Sequence, residues 1–209
     1  MKVTGSYTFE APQQTVWDAL QNPTVLTSIL PGCDRLEEVG ENRFEGDLDI
    51  RVGPVQGKFK GKIEMLDIEP PTRFSLKVNG QGTTGFVNAT AKVDLEGAGE
   101  TTVVSYDSDA QVGGRIAGVG QRLLDSSARS IVQQSLDGFN ALVKTAGQQI
   151  SEGGEPAADV EKAAAEYQAP TQAEFATQVA KDVAREVVPR PVLIAGAILI
   201  VLIILWLLF

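Results

Sequence analysis

The sequence predicts an α+β fold in which a curved antiparallel sheet closes around one long helix, followed by a linker and a hydrophobic C-terminal helix. Three observations predict this arrangement. Apolar and polar residues alternate with period two through much of residues 44–112, and beyond them the period changes to about 3.6. The third observation is that residues 191–209 (PVLIAGAILIVLIILWLLF) carry no charge. We therefore expect a folded domain at 1–145, a partly helical flexible linker at 146–190 and a transmembrane anchor at 191–209.

The beginning of the domain is predicted to contain one strand and two short helices. A strand is expected at residues 3–9, followed by a helix at 13–20 whose apolar residues share one face. Pro23 favours a new helix start, and a second short helix is expected at roughly 24–30. The dipeptide Pro31-Gly32 then ends it.

About six antiparallel strands are predicted to follow. In residues 44–52 every even position is apolar or glycine and every odd position is charged, and residues 55–65 continue the alternation with odd positions apolar. Such alternation indicates strands with one buried and one solvated face. Further strands are expected at 73–78, 86–95 and 102–112, with breaks at Pro70-Pro71, 79–82 and 96–99.

A long amphipathic helix is predicted at residues 115–143. Its apolar stripe consists of Ile116, Val119, Leu123, Leu124, Ile131, Leu136, Phe139 and Leu142. A sheet with one apolar face needs a cover, and no other predicted element is long enough to supply it.

The inner face of the predicted sheet carries many small residues. They are Gly46, Gly57, Gly61, Ala89, Ala91, Ser108 and Ala110. One interpretation is that the glycines only let the sheet curl around the helix. The other is an elongated apolar cavity between sheet and helix, which would suit a lipophilic ligand. The predicted lining is Leu30, Leu48, Phe59, Ile63, Leu76, Phe86, Ala89, Tyr106, Ala110, Val119 and Leu123.

The segment 191–209 is long enough to span a bilayer. At about 1.5 Å per residue, a helix of this length matches the hydrocarbon thickness. Arg185 and Arg190 lie just before it, and such positive flanks favour the cytoplasmic side. We therefore expect a single C-terminal span in the cell (inner) membrane, with the domain on the cytoplasmic side. The alternative, a buried core helix, would need a polar edge that this segment lacks.

Composition excludes several functional classes. The net charge of −9 argues against a role that depends on binding nucleic-acid phosphates. The chain has no histidine, which removes Ser-His-Asp and Cys-His catalysis and the usual histidine metal sites. The single cysteine, Cys33, is interpreted as a small packing residue, and Asp47 and Asp49 as part of a solvated face. We therefore predict no catalytic residues and no metal ligands.

Two rows of basic residues are candidate contact surfaces. Arg115, Arg122 and Arg129 are spaced by seven and fall along one side of the predicted helix. Lys58, Lys60 and Lys62 form a second row, on the outer face of the sheet. Either row could contact an acidic partner or anionic lipid headgroups, or it could simply face solvent.

The arrangement of a curved sheet around a long helix resembles the helix-grip fold of the START-related ligand-binding superfamily. Four local motifs occur within this arrangement: Leu30-Pro31-Gly32-Cys33, residues 53–61 (GPVQGKFKG), Pro70-Pro71 and residues 112–120 (VGGRIAGVG). They narrow the resemblance to the CoxG family, which is named for carbon monoxide dehydrogenase, over residue 1 to about 145.

The resemblance implies a non-enzymatic adaptor. Members of this family are implied to accompany molybdenum hydroxylases of the aerobic CO dehydrogenase type, and to bring that enzyme to the membrane and its quinone acceptor. A bound menaquinone or ubiquinone is the implied ligand, since an apolar wall with Tyr106 and Ser108 suits a ring with two carbonyls. Two alternatives stay open: a START-like cyclase, hydratase or hydrolase that uses Tyr106 beside Ser108, and a purely structural anchor without a ligand.

Overall fold

The computed structural model describes residues 1–150 and Ala164, and its elements follow the predicted order. They are β1 Lys2–Phe9, α1 Gln13–Leu20, α2 Pro23–Ile29, β2 Cys33–Gly40, β3 Arg43–Val52, β4 Val55–Glu69, β5 Arg73–Gly82, β6 Gly85–Ala98, β7 Thr101–Gly113, a 3-10 helix Arg115–Val119, and α3 Gln121–Ile150. No helix in this part of the chain is both long and apolar enough to cross a bilayer. The predicted span at 191–209 lies outside the described residues.

All seven strands form one antiparallel sheet in the order β1-β7-β6-β5-β4-β3-β2. The sheet is curved, and α3 contacts both β1 and β3, so the predicted α+β arrangement of sheet and helix is confirmed.

The start of α2 is fixed by its N-terminal cap. The Oδ1 atom of Asn22 accepts hydrogen bonds from the backbone N–H groups of Thr24 (2.9 Å) and Val25 (3.4 Å), which satisfies donors that a helix start leaves unpaired.

Several strand boundaries differ from the prediction; β4 continues to Glu69, and β6 continues to Ala98, through most of the predicted break at 96–99. β2 was not located from the sequence, because this edge strand reads CDRLEEVG and only Leu36 is buried in it. The predicted break at 79–82 is wrong, since these residues extend β5. Gly80 pairs with Val87 and Gly82 with Gly85, so the turn falls at 83–84 instead. Glycines often indicate a turn, but here the hydrogen-bonded pairing with β6 keeps these glycines in β5.

The long helix begins later than predicted. Arg115–Val119 forms a 3-10 helix, and Gly120, with φ of 92°, separates it from α3. Glycine adopts this backbone conformation readily, whereas residues with a side chain rarely do. At its other end α3 continues to Ile150, past the predicted end of the helix.

Two buried hydrophobic clusters hold the domain together. The main cluster joins α1, α2 and one end of the sheet to the C-terminal half of α3, and includes Phe9, Trp17, Phe74 and Phe139. The second cluster consists of Val52, Phe59, Ile116 and Leu124. Ala164 is helical, only 3% exposed and packed in the main cluster. At this position, inside the predicted linker, the chain therefore contributes to the core.

Candidate ligand-binding cleft

The sheet register places all seven predicted small residues on the inner face. Gly61 lies opposite both Gly46 and Gly80, so three glycines form a row across β3, β4 and β5. Further along the face, Ala89 pairs with Ala110 and Ala91 with Ser108. The small residues therefore form two main groups on the inner face, a row of three glycines across β3 to β5 and a block of four residues on β6 and β7, with Val78 and Val87 beside both.

The inner face is closely packed at its two ends and open in the middle. Phe74 and Leu95 are buried at one end, and Val52 and Phe59 at the other. The residues between them on the inner face are only half-buried: Leu48, Leu76, Val78, Ala89, Ala91 and Ala110. We call the space between these residues and the middle of α3 the inner cleft.

The three glycines of this row differ in the room around them. Gly80 is buried, and a β-carbon placed on it would make only ordinary contacts, with Val87 at 3.8 Å and beyond. On Gly61 the nearest contact would be Leu48 Cδ1 at 3.4 Å. Gly46 is different, since a β-carbon there would lie 2.6 Å from the carbonyl oxygen of Arg35. Close backbone approach therefore explains Gly46, whereas Gly61 and Gly80 have room for a methyl group.

Ten of the eleven predicted lining residues fall into three groups. Leu30, Ile63 and Leu76 pack against the main cluster, and Phe59, Val119 and Leu123 belong to or pack against the second cluster. The other inner-face residues, which lie in neither cluster, are Leu48, Ala89, Tyr106 and Ala110. The structure thus places ten of the eleven at the inner cleft or at its two ends.

Phe86 is the exception, and its prediction was wrong. It pairs with Gln81 and Gly113, on the strand face that carries exposed Asn88. Its ring covers Gly113, where a β-carbon would collide with it. Phe86 therefore belongs to the outer face. The period of two within β6 already implied this, because Phe86 and Ala89 differ in parity.

The polar side chains of the inner sheet face and of α3 differ in their hydrogen bonding. Ser108 donates its hydroxyl hydrogen to the Val3 carbonyl (2.9 Å), and the Tyr106 hydroxyl lies against Gly5. By contrast, some buried polar atoms have no hydrogen-bond partner: Thr84 Oγ1, Ser127 Oγ, Gln134 Oε1 and Ser135 Oγ. The sequence analysis missed the last three. For Ser127 the available signal was the gap in the apolar stripe between Leu124 and Ile131.

The two basic rows are less uniform than predicted. Arg122 and Arg129 are exposed on α3, but Arg115 lies in the 3-10 helix beyond Gly120 and does not continue their line. The lysine row is not unmixed positive charge, because β4 lies beside the acidic row of β3. Lys62 pairs with Glu45 at 2.9 Å, and Lys58 pairs with Asp34 of β2 at 3.7 Å.

The described residues contain three further features to consider: a groove, the cysteine thiol and possible metal ligands. A groove of about 600 Å³ is lined both by charged residues such as Asp47 and Lys60 and by the apolar Leu48 and Phe59. Burial raises the pKa of the Cys33 thiol, which packs against the main cluster as expected of a packing residue. Residues 1–150 contain no group of three Cys, Asp or Glu side chains placed to hold a metal ion.

The chain is similar to one protein family over most of its length. Residues 5–144 match the family model that describes CoxG, a subunit of carbon monoxide dehydrogenase. A solved structure described as a conserved protein from Geobacillus kaustophilus is 35% identical, with a TM-score of 0.66 over 68% of this chain and 95% of that chain. No curated protein matches the sequence.

More distant structures share the fold. A protein from Chromobacterium violaceum is 16% identical, with a TM-score of 0.54 over 68% of this chain and 96% of its own. The aromatase/cyclase Zhui from a Streptomyces species is 15% identical, with a TM-score of 0.52 over 74% of this chain and 99% of its own. At these identities the likeness shows the fold alone, a curved antiparallel sheet with a long C-terminal helix, as predicted.

Proposed function

The chain therefore belongs to the CoxG family of carbon monoxide dehydrogenase, as its motifs predicted, and we propose that it is a non-catalytic adaptor that carries a lipophilic ligand in the inner cleft. The observation that carries this proposal is the unfilled, half-exposed apolar surface between the two clusters. Close packing is the rule in protein interiors, so half-exposed apolar residues and small residues on the inner face of a domain fit a ligand.

The ligand that we propose is an isoprenoid quinone, menaquinone or ubiquinone. Its hydrocarbon tail would contact the apolar residues of the sheet, and its ring oxygens need a few hydrogen-bonding groups. Ala89 and Ala110 would contact the tail, and the Tyr106 hydroxyl on the same face of the sheet would donate a hydrogen bond to a ring oxygen.

The proposed partners are a molybdenum hydroxylase of the CO dehydrogenase type and the cell membrane. The family name connects the chain to carbon monoxide dehydrogenase. The apolar segment 191–209 would tether the domain to the cytoplasmic side of the inner membrane, and exposed Arg122 and Arg129 provide a positive surface for an acidic partner. In this scheme the adaptor links the enzyme to the respiratory quinone pool.

The proposal is tested by filling the inner cleft. The Ala89→Phe/Ala110→Phe double variant places two rings on paired inner positions, and Asn88→Phe/Gln111→Phe makes the matched change on the outer face of the same strand pair. The detergent-solubilised full chain is purified, and lipids extracted from it are identified by mass spectrometry. Quinone should accompany the wild type and the outer-face variant but not the inner-face variant, while all three stay in the membrane fraction before solubilisation.

Two results would contradict ligand carriage. One is wild-type protein without any co-purifying lipophile. The other is a large loss of stability in the inner-face variant, as overpacking of a filled core produces, because that would show that the inner cleft holds no spare volume. The alternative of a purely structural membrane anchor without a ligand would then be favoured.

An enzymatic function has no specific support among the described residues. The best candidate pair was Tyr106 beside Ser108, but the Ser108 hydroxyl hydrogen is committed to the Val3 carbonyl. The aromatase/cyclase neighbour shares the fold, and a shared fold does not carry an activity with it.

A further inference from the structure

The two edges of the sheet differ in how well they are protected against a further strand. β2, at one edge, is charged at four of the five positions from Asp34 to Glu38, and its pairing with β3 shifts register twice. Charges and bulges of this kind prevent another strand from adding to an edge. β1, at the other edge, has no charged residue from Val3 to Phe9 and pairs with β7 without a register shift. The edge at β1 therefore lacks the protection that β2 has.

The backbone of β1 presents hydrogen-bonding groups along this edge. The Met1 amino group donates to the Ala110 carbonyl (2.5 Å), and the Ala110 N–H donates to the Met1 carbonyl (2.8 Å), so these residues form a hydrogen-bonded pair. Such pairs alternate along an antiparallel ladder, so the even residues of β1 direct their N–H and C=O groups away from β7. Thr4, Ser6 and Thr8 are exposed, and within the described part of the chain β1 pairs only with β7. We call this row of outward backbone groups the free edge.

The residues of β1 match one another when the strand is paired with a copy of itself. Antiparallel pairing about a two-fold axis at Ser6 sets Ser6 opposite its own copy and Thr4 opposite Thr8, in hydrogen-bonded pairs. The same register sets Lys2 opposite Glu10, so a positive and a negative charge meet at each end. Threonine pairs and opposite charges are favourable across strands. The strand is thus complementary to itself, as a two-fold interface requires.

Another register is less favourable. Because the even residues carry the outward backbone groups, the axis can move to Gly5 without shortening the ladder. That register sets Gly5 opposite its own copy and Lys2 opposite Thr8, so it loses the charge pairs and places two poor strand formers together. The register centred on Ser6 instead sets Gly5 opposite Tyr7, a small residue beside an aromatic ring, which is a favourable edge pair.

The position of α3 is compatible with this pairing. The helix contacts β1 only toward the end of the strand, where Tyr7 bonds to Asp137 (2.8 Å) and Glu10 to Lys144 (2.6 Å). In an antiparallel pair centred on Ser6, these ends of the two strands lie at opposite ends of the ladder. The two helices then contact the joined sheet about 13 Å apart along the strand direction.

From these observations we propose that the chain forms a symmetric homodimer in which β1 of each copy pairs antiparallel with β1 of the other, about a two-fold axis at Ser6. The two sheets then form one continuous sheet with both α3 helices on the same side. A single strand pair is a small interface, so the dimer is weak and depends on protein concentration. This inference is independent of the ligand in the inner cleft.

The test places charges on the two-fold axis. Ser6→Lys and Ser6→Glu each set two like charges opposite one another in a homodimer, whereas an equimolar mixture of the two variants sets opposite charges together. The matched control is Ser105→Lys, which makes the same change on β7, at the exposed position paired with Ser6 but one strand away from the free edge. Sedimentation equilibrium of the full chain in density-matched detergent measures the dissociation constants.

We expect the wild type and Ser105→Lys to dimerise with similar dissociation constants. Each Ser6 variant should raise the dissociation constant about 5-fold or more, because like charges directly opposite one another destabilise a strand pair. The equimolar mixture should restore dimerisation to the wild-type level or beyond. The melting temperatures should stay unchanged, since Ser6 is exposed and its backbone groups point away from β7.

Hydrogen exchange of the wild type provides a second measurement that needs no substitution. The backbone N–H groups of Thr4, Ser6 and Thr8 should exchange more slowly at protein concentrations above the dissociation constant than below it, because the ladder protects them. Exchange at these positions that does not depend on concentration would contradict the pairing.

Three sedimentation results would overturn the proposal. One is a wild-type chain that stays monomeric at every concentration. Another is dimerisation of the Ser6 variants as strong as that of the wild type, which would place association elsewhere, for example in residues 191–209. The third is a mixture of the two variants that stays dissociated, which would show that β1 does not meet its own copy at Ser6 and would favour a strand of a different protein as its partner.

Discussion

Tyr7 and Glu10 connect the first strand to the closing helix through side chains. Tyr7 donates a hydrogen bond from its hydroxyl to Asp137 Oδ1 (2.8 Å), and Glu10 forms an ion pair with Lys144 at 2.6 Å. The backbone N–H of Glu10 donates to Asn140 Oδ1 at 2.9 Å. Three positions on one side of α3 thus hold the end of β1, near the main cluster.

The Tyr7 contact makes a spectroscopic prediction. Burial, and then the hydrogen bond to Asp137, raise the pKa of Tyr7 to about 12. In Asp137→Asn we expect this pKa to fall part of the way toward the ordinary tyrosine value, because the charge is lost while the burial remains. Titration of tyrosine absorbance at 295 nm measures it, and Tyr7→Phe identifies the transition. An unchanged titration in Asp137→Asn would contradict the assigned contact.

The Glu10 pair predicts a dependence of stability on pH. The hydrogen bond and charge of Lys144 lower the pKa of Glu10. A carboxyl with a lowered pKa in the folded state stabilises the protein above its unfolded pKa, and this contribution disappears as the pH falls through the folded value. Glu10→Gln should therefore have a lower melting temperature than wild type at pH 7, and the difference should vanish under acid conditions.

Salt provides the control for this prediction. The pair is exposed, so added salt at pH 7 should reduce the difference between Glu10→Gln and the wild type as well. A difference that is independent of both pH and salt would indicate that the substitution acts through packing rather than charge.

The strands β3, β4 and β5 differ in how their inner glycines are used. Gly46 lies under the backbone of β2, whereas a β-carbon on Gly80 would make only ordinary contacts with Val87, although both glycines occupy the same row of the sheet. Neither has the positive φ that only glycine adopts easily. The backbone would therefore accept a side chain at both positions, and only the surroundings distinguish them.

This difference predicts opposite effects of one substitution. Gly80→Ala should be neutral or stabilise the domain by about 0.4–1 kcal/mol, because alanine restricts the unfolded chain and meets no obstacle. Gly46→Ala should destabilise it by about 1–3 kcal/mol, because the new methyl group collides with the Arg35 carbonyl. Urea unfolding followed by circular dichroism measures both. Equal destabilisation would mean that the inner cleft is filled.

Membrane attachment and partner docking are properties of the complete chain. Removal of residues 191–209 should release the protein from the membrane fraction while the fold of the domain persists, because the apolar segment supplies the attachment. Cell fractionation measures attachment, and circular dichroism measures the fold. Retention of the truncated chain on membranes after a high-salt wash would contradict the tail-anchor prediction, since salt removes electrostatic attachment.

The basic surface of α3 makes a separate prediction. Arg122→Glu/Arg129→Glu should abolish co-purification with the molybdenum hydroxylase without changing the melting temperature, because both side chains are exposed. Arg51→Glu/Lys77→Glu makes the same change in net charge at exposed positions of the sheet and should have no effect. Unchanged co-purification of the α3 variant would show that these arginines face solvent and do not bind the partner.

Local pattern in the sequence was sufficient to predict the fold class. The alternation in β3 and β4 gave the correct inner residues, and α1 has the predicted bounds Gln13–Leu20. The motifs gave the family, and the small inner residues gave the location of the candidate site. All of these follow from neighbouring positions along the chain, because the spacing of apolar residues indicates which face of a strand or helix is buried.

Only the tertiary structure decided the features that depend on residues distant in sequence. Gly80 belongs to a strand because Val87 lies opposite it, and Lys62 is paired because Glu45 is on the neighbouring strand. The orphaned hydroxyl of Ser127 is visible only once its surroundings are known to be buried and without a partner. A hydrogen bond, a counter-ion and an empty space are each relations between elements, so the chain's local pattern does not specify them.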